Sequence, residues 1–440
     1  MIKVVKFGGS SVANAGQFKK IKQIIEDDPS RKFIVTSACG KEGKEDHKVT
    51  DLLYLTHAHV KYGVSYESVF SLIEEKYEKI KEELGLTTDL KKEFDLIKSL
   101  MNKNMDVDYL VSRGEYLTAR LLAEYLDADF VDAAKVIAFN YDGSINMEHT
   151  EALLKEHIKP NRKMVVPGFY GFLPNGVIKV MSRGGSDISG AILANIVNAD
   201  VYENWTDVSG FLVTDPRIVD NPQQIKYINY AELREMSYMG ANVLHDEAIF
   251  PVKKKNIPIN IRNTNDYKNP GTMIMDNCDA VDAITPPPFI TGITGKKHFT
   301  AITASKSGIA NEVGFLRKVL TIFENYDISV ETMPVGVDTF SVIVETEKVR
   351  GCIYELLSTL KDELDLDEVT MDDHVALLAI VGRGMRSRAG MSGQLFAELG
   401  DNNINIRIIN QGSDEISIMI GIDNRDFEKA IKCIYKRFIK

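Results

Sequence analysis

The chain opens on Ile2-Lys-Val-Val-Lys6-Phe7-Gly8-Gly9-Ser10-Ser11-Val12, and the fold turns on how this stretch is read. Residues 2–7 form a short apolar run interrupted only by lysines, the pattern of a buried strand. Two glycines follow at once. They let the backbone approach a ligand closely and leave N–H groups free to cradle phosphate oxygens, with Lys6 adding a cation at the strand end. Gly-Gly-Ser is equally an ordinary tight turn beside a surface lysine, and the stretch alone does not separate the two.

Working outward, Phe18, Ile21, Ile24 and Ile25 fall on one face of a helix over 17–26. Further strands are expected at 33–37, 164–168, 177–181, 201–205 and 257–261, separated by helical or loop segments. Such alternation implies an α/β fold: a mainly parallel sheet with helices on both faces. The segment 64–105 is nearly free of Gly and Pro, and Phe70, Ile73, Tyr77, Ile80 and Leu84 keep helical spacing, so it reads as a helical insertion. Thr285-Pro-Pro-Pro-Phe289 is the clearest linker, since three prolines disfavour both helix and sheet interior.

Past the linker the chain repeats at an offset of 76, pairing Gly314 with Gly390, Val319 with Leu395, Phe323 with Leu399 and Ile328 with Ile404. Each copy reads as a βαββαβ module. The expected domains are thus 1–285, 286–370 and 371–440. The second copy lacks an obvious last strand after its helix over 425–438, and the stranded apolar run 289–294 is expected to supply it.

Composition sets outer limits. Lys and Arg total 53 against 63 Asp and Glu, a net charge of −10, which argues against nucleic acid or an anionic membrane as principal partner. Cys39, Cys278, Cys352 and Cys433 form no CxxC pair and join no histidine at metal-ligand spacing, so neither a disulfide framework nor a protein-held metal is expected. The opening residues carry no leader pattern and no stretch approaches the roughly 18 apolar residues of a membrane span, so a cytoplasmic location is expected.

Four further stretches bear on chemistry. Ser182-Arg183-Gly184-Gly185-Ser186-Asp187 follows a strand and opens an apolar helix, a second glycine turn at a helix N-terminus that favours an anion. Ser186 or Asp187 alone would also serve as an N-cap. Two such turns with basic residues in one sheet suggest a polyphosphate held between them. Ser112-Arg113-Gly114-Glu115 reads as the start of a helix, where Glu115 equally answers the helix dipole. Thr206-Asp207-Val-Ser-Gly210 with Thr214-Asp-Pro-Arg217 follows a strand, where open α/β sheets bind ligands. His245 in Gly240-Ala-Asn-Val-Leu-His245 reads as structural. No Walker A, GxGxxG or protein-kinase motif occurs, so any ATP would lie in another cradle.

Together these stretches, in this order, resemble the aspartate kinases, a branch of the amino acid kinase family with C-terminal ACT domains. The resemblance implies transfer of the γ-phosphoryl group of ATP, with Mg²⁺, to the β-carboxylate of L-aspartate, a first step toward lysine, threonine and methionine. Lys6 and Asp187 would be catalytic, Lys6 stabilising the transferring phosphoryl group and Asp187 orienting Lys6. Gly8, Gly9 and Ser10 would form the phosphate loop, with Thr206, Asp207 and Arg217 on the nucleotide. Arg183 would clamp the substrate α-carboxylate and Glu115 take its ammonium, with Ser37, Ala38, Thr50, Phe169 and Ser186 completing the pocket.

The repeats resemble tandem ACT domains, implying an amino-acid effector, lysine first and threonine second. It would lie on Gly314, Phe315, Leu316, Ser329, Val330 and Glu331, in a homodimer or dimer of dimers. The chain departs from the family pattern at Leu212, often aromatic, and at Asn242, commonly basic. Two alternatives stand beside this reading: a kinase for another carboxylate such as glutamate or acetylglutamate, and a non-catalytic amino-acid sensor.

Overall fold

The structure, a computed structural model, describes residues 1–182, 184–240, 249–386 and 388–440, with Ile249 as backbone alone. Asn242, His245 and Arg183 therefore lie outside the described residues. The chain divides into two compact units. The first comprises Met1–Phe211, Lys226–Asn229 and the described residues of 243–278. The second takes Leu212–Ile225, the described residues of 230–242 and Asp279–Lys440.

The first unit is built on an eight-stranded sheet. Its strands are β1 (Lys3–Phe7), β2 (Arg31–Thr36), β3 (Asp129–Phe130), β4 (Met164–Pro167), β7 (Val201–Thr206), β8 (Tyr227–Asn229), β9 (Ile259–Asn263) and β10 (Thr272–Met275), in the order β3-β4-β2-β1-β7-β9-β10-β8. Only the β9–β10 pair is antiparallel. The opening stretch supplies the centre: β1 lies between β2 and β7, with Lys6 facing Val35 on one side and Asn204 on the other.

Helices cover both faces. On one side lie α1 (Ala15–Glu26), α2 (Val49–Tyr62), α3 (Glu67–Leu84), α4 (Leu90–Ser99) and α5 (Val107–Tyr125), whose apolar faces share a core with Val5, Phe7 and Ile34. The Asn14 side chain caps α1 by accepting from the Gln17 N–H, so the helix starts at Ala15, three residues before its apolar stripe begins at Phe18. The expected insertion is α3 and α4, which bury Phe70, Ile73, Tyr77, Ile80, Phe94 and Ile97. The helix Gly185–Ile196 packs on the opposite face, against β1, β2 and β7.

Two expectations are corrected. The strand expected at 177–181 does not join the main sheet. Ile178–Val180 (β6) pairs only with Tyr170–Phe172 (β5) in a separate hairpin, tied to the start of α5 by Asp108, which accepts from Lys179 Nζ (2.9 Å) and the Val180 N–H (3.2 Å). Glu115 does not open a helix but sits mid-way along α5, which starts at Val107 under an Asp106 cap. Gly114 lies inside the helix, where a Cβ would meet the Ala38 Cβ at 2.8 Å.

The second unit is an antiparallel sheet in the order β12-β11-β13-β15-β14, from β11 (Gly292–Ser305), β12 (Thr339–Glu345), β13 (Glu368–Val381), β14 (Ile408–Gln411) and β15 (Ser417–Asp423). β11 and β13 are each 14 residues long and run through both repeats. Gly292–Lys296 pairs with Val381–Leu377 beside β15, while Phe299–Ser305 pairs with the early half of β13 and with β12. The repeat is visible in the matching helices Phe315–Asn325 and Met391–Asp401, capped by Gly314 and Gly390 at φ 80° and 85°. Glu232 is buried here: its carboxylate accepts from Thr291 Oγ1 (2.7 Å), the Arg383 N–H (2.8 Å) and Arg383 Nη1 (2.9 Å). Among the described residues no helix is long and apolar enough to cross a membrane.

Candidate active site

The carboxyl ends of the central strands carry the site. Because side chains alternate along a strand, Lys6 points to the opposite face from Phe7 and toward the helix Gly185–Ile196. There its Nζ lies 2.6 Å from Asp187 Oδ1, both side chains largely buried. Asn204, the neighbour of Lys6 across β1 and β7, donates from Nδ2 to the same oxygen at 2.9 Å. The Tyr202 hydroxyl donates to the Asp187 carbonyl at 3.0 Å. Lys6 is thereby aimed and fixed, as a group that must meet developing charge without reorganising should be.

The two glycine turns close around this pair. Gly8 continues past β1 with its N–H on the Trp205 carbonyl (2.9 Å), and the Gly40 N–H donates to the Gly9 carbonyl (2.8 Å). A Cβ at Gly40 would lie 2.5 Å from the Gly9 carbonyl carbon, so two backbones approach here as no side chain would allow. Gly184 caps the second helix at φ 79°, a left-handed conformation suited to glycine. Ser10 sits half-exposed in the short helical turn Gly9–Val12.

On the other face, Glu115 approaches the same strand ends from α5. Its side chain is buried, its carboxylate accepts from the Ala38 N–H, and Oε2 has no hydrogen-bond partner. Burial pushes its pKa up to about 8, against the milder opposing pull of the Ala38 N–H and the charges of Lys6 and Arg113. Thr36 shares this face by alternation with Ile34, and its buried Oγ1 is also without a partner. An orphaned carboxylate oxygen and hydroxyl in a buried pocket suit a polar ligand that brings its own donors.

Phe169 lines the far side. It holds φ 76°, unusual for a bulky residue, and is pinned by its N–H to Ser189 Oγ (3.0 Å) and by its carbonyl to the Met181 N–H (2.7 Å). Strain of this kind persists where the surroundings fix it and clusters at ligand sites. A Cβ at neighbouring Gly168 would lie 2.8 Å from the Ser186 Cα, which brings Ser186 to the same wall. Ser37 and Ala38 follow β2 directly, the Ser37 N–H on the Phe7 carbonyl (3.0 Å). Thr50 sits in the first turn of α2, beside Val49, whose Cγ1 borders Gly114.

Thr206 ends β7 and bonds Asp207 (3.2 Å). Arg217 belongs to the second unit, where its exposed guanidinium pairs with Asp215 at 2.6 Å. Also there, Leu316 and Ser329 are exposed, Val330 is partly buried, and the Phe315 ring is sealed against Phe340, with the Phe315 N–H given to the Glu312 carbonyl. Glu331 takes a hydrogen bond from the Tyr238 hydroxyl, whose pKa is raised to about 12 by burial and then by this carboxylate.

Sequence reasoning missed Asn204 and Thr36. Their signal was present: a polar residue amid an apolar strand, in Tyr202-Glu-Asn-Trp205 and in Phe33-Ile-Val-Thr36. For a metal, among the described residues the only grouping of three potential ligands is Asp372, Asp373 and His374, in the second unit and largely exposed. Asp187 is already engaged by Lys6 and Asn204, so the site offers no carboxylate cage.

The amino acid kinase family model matches residues 1–263 and an ACT domain model residues 378–438. Bacillus subtilis aspartokinase 3 is 33% identical over 99% of this chain and 98% of its own length. The crystal structure of Clostridium acetobutylicum aspartate kinase, 46% identical, superposes with a TM-score of 0.92 over 99% of both chains. E. coli aspartokinase III, 25% identical over the whole of both chains, superposes at 0.71 in complex with aspartate and ADP and at 0.76 in complex with lysine and aspartate. With a buried lysine–aspartate pair between two glycine turns in the first unit and an ACT domain match in the second, the chain belongs to the amino acid kinase family and, within it, to the aspartate kinases, enzymes that phosphorylate a carboxyl group.

Proposed function

We propose that this chain transfers the γ-phosphoryl group of ATP to the β-carboxylate of L-aspartate, giving 4-phospho-L-aspartate and ADP. The observation that carries the reading is the buried Lys6–Asp187–Asn204 set facing one way and the orphaned Glu115 oxygen facing the other. A free aspartate side chain has a pKa of about 3.9 and is already ionised at neutral pH, so the nucleophile needs no general base. What it needs is alignment and neutralised charge. Lys6 meets the charge on the transferring group while Asp187 and Asn204 hold Lys6 in place. Gly8, Gly9 and Ser10 cradle the phosphates, and Thr206, Asp207 and Arg217 contact the nucleotide. Glu115 takes the α-ammonium and Arg183 the α-carboxylate, within a pocket of Ser37, Ala38, Thr50, Phe169 and Ser186. Magnesium enters as the MgATP complex, held by phosphates and water, with Asp187 already engaged by Lys6 and Asn204.

The domains assigned to this work are a catalytic domain over 1–285, with the insertion at 64–105, and ACT domains over 286–370 and 371–440, the latter completed by 289–294. The assembly is a cytoplasmic homodimer or dimer of dimers at the head of lysine, threonine and methionine synthesis. L-Lysine inhibits it through Gly314, Leu316, Ser329, Val330 and Glu331 and the backbone at Phe315. The lysine complex of E. coli aspartokinase III supports the effector and its aspartate–ADP complex supports the substrates.

The test is ATP, Mg²⁺ and L-aspartate with hydroxylamine as a trap for the acyl phosphate. Aspartyl hydroxamate is the expected product; none from aspartate, or more from glutamate, ends this reading. L-Lysine should lower the rate and Glu331→Ala should blunt that effect, whereas undiminished inhibition in Glu331→Ala would remove the effector site.

A further inference from the structure

Arg113 stands two residues before Glu115 on α5 and is as deeply buried, 6% exposed against 4%. Among the described residues its guanidinium has no carboxylate ion-pair partner. Nε donates to the Tyr109 carbonyl (3.3 Å) and Ser112 Oγ (3.2 Å), and Nη2 to Ser112 Oγ (3.0 Å). Three tyrosine rings surround it instead, with centroids 4.8 Å (Tyr109), 4.5 Å (Tyr116) and 5.5 Å (Tyr170) away. Ring faces ease the burial of a cation without cancelling its charge. Buried arginines that serve structure alone ordinarily find a carboxylate. Here a buried cation that stacks on tyrosines rather than on a carboxylate, with Asp132 and Glu93 acting on those same rings, and a buried carboxylate with one orphaned oxygen share one helix, on either side of Gly114, the residue over which Ala38 packs.

Several groups face Glu115. They are Lys6 of β1, the Ala38 N–H and Cys39 after β2, Tyr54 of α2, Tyr77 of α3, Tyr170 of β5, and Arg113 on its own helix. Only Lys6 and Arg113 are cations, and Lys6 is already paired with Asp187. Tyr170 links Arg113 to the pocket a second way. It follows the strained Phe169, and its hydroxyl is tied to Asp132 Oδ1 at 2.7 Å.

We propose that Arg113 is a positioning residue for the substrate: a caged cation behind Glu115 that favours the carboxylate form an ammonium requires, and a stacking partner that holds Tyr170 and the Phe169 wall. The proposal rests on Glu115 as the ammonium's acceptor.

The experiment is kcat/KM for aspartate against pH, at saturating MgATP, for the full chain, Arg113→Met, Arg113→Lys and Glu115→Gln. Removing a buried charge that acts on Glu115 should move the alkaline-going rise of the Arg113→Met profile up by about half to one pH unit. Arg113→Lys keeps the charge but not the stack, so its profile should keep the parent's inflection while KM rises. An unmoved inflection in Arg113→Met overturns the proposal. Should Arg113→Met not fold, Arg113→Lys decides: an inflection displaced despite the retained charge overturns it. Glu115→Gln should raise KM and flatten the profile; an unchanged KM there overturns the acceptor reading itself and the proposal with it.

Discussion

Glu203 and Glu115 are both buried glutamates of the first unit, 1% and 4% exposed, yet they have opposite fates. Glu203 is saturated: Arg31 Nε and Nη2 reach it at 2.8 and 3.2 Å, Lys3 Nζ at 3.2 Å and Trp205 Nε1 at 2.9 Å. Burial alone would raise its pKa, but the Arg31 hydrogen bond and the charges of Arg31, Lys3 and Arg262 outweigh that and hold it below the ordinary value. Glu115 keeps an empty oxygen and is pushed up to about 8. A filled carboxylate locks strands together, whereas an unfilled one waits for a ligand. The same logic distinguishes Lys6, fixed on one carboxylate oxygen at a strand end, from Lys3 on the same strand, which closes the Arg31 network.

The sharpest break in the comparison is Lys6→Ala. It should lower turnover by about 10²–10³-fold, as loss of a preorganised charge does, and should lower the melting temperature without abolishing a cooperative transition, because Asp187 loses its cation but keeps Asn204. Hydroxamate assay and a melting curve read the two sides; a collapsed melting curve would make Lys6 structural.

Glu203→Gln should do the reverse. It strands Arg31 in the interior and should cost about 3–5 kcal/mol of stability by urea titration, with KM for aspartate unchanged. Glu115→Gln should raise KM for aspartate about 10–100-fold, the worth of a charge-assisted hydrogen bond, and leave the urea midpoint in place.

The mildest effect is on pH. The folded, empty enzyme holds a proton on Glu115 up to about 8 where the unfolded chain has lost it near 4.5, so its share of stability declines as pH rises through that window. Aspartate must displace that proton, so its kcat/KM should fall about tenfold per unit as pH drops below 8. Glu203 has the opposite sign: its stabilisation is present at neutral pH and fades as acid reaches its lowered pKa. A Glu115→Gln variant with the same pH dependence as the parent would refute the assignment.

Much of this was legible beforehand because it rests on local chemistry. The run 2–7 has the pattern of a buried strand, and two glycines after it allow backbones to come together, as Gly9 and Gly40 do. The offset of 76 foretold paired helices because both copies need the same glycine cap. What failed depended on partners distant in sequence. Val177–Met181 is apolar enough for the main sheet, but Asp108 holds its backbone elsewhere. Gly114 resembles a helix boundary until Ala38 is seen against it. Asn204 shows its purpose only once Asp187 stands opposite.

The long strands β11 and β13 set the order in which the second unit is made. The first residues of β11 find their strand partners in Leu377–Val381, some 80 to 90 positions later in synthesis, although the Ile293 N–H also meets the earlier Val213 carbonyl (2.7 Å). An emerging chain therefore carries Gly292–Lys296 without its β13 partner until most of the protein has left the ribosome. A graft that aims to move the two repeats to another protein has no point between 292 and 440 at which to cut, for both are woven from the same two threads.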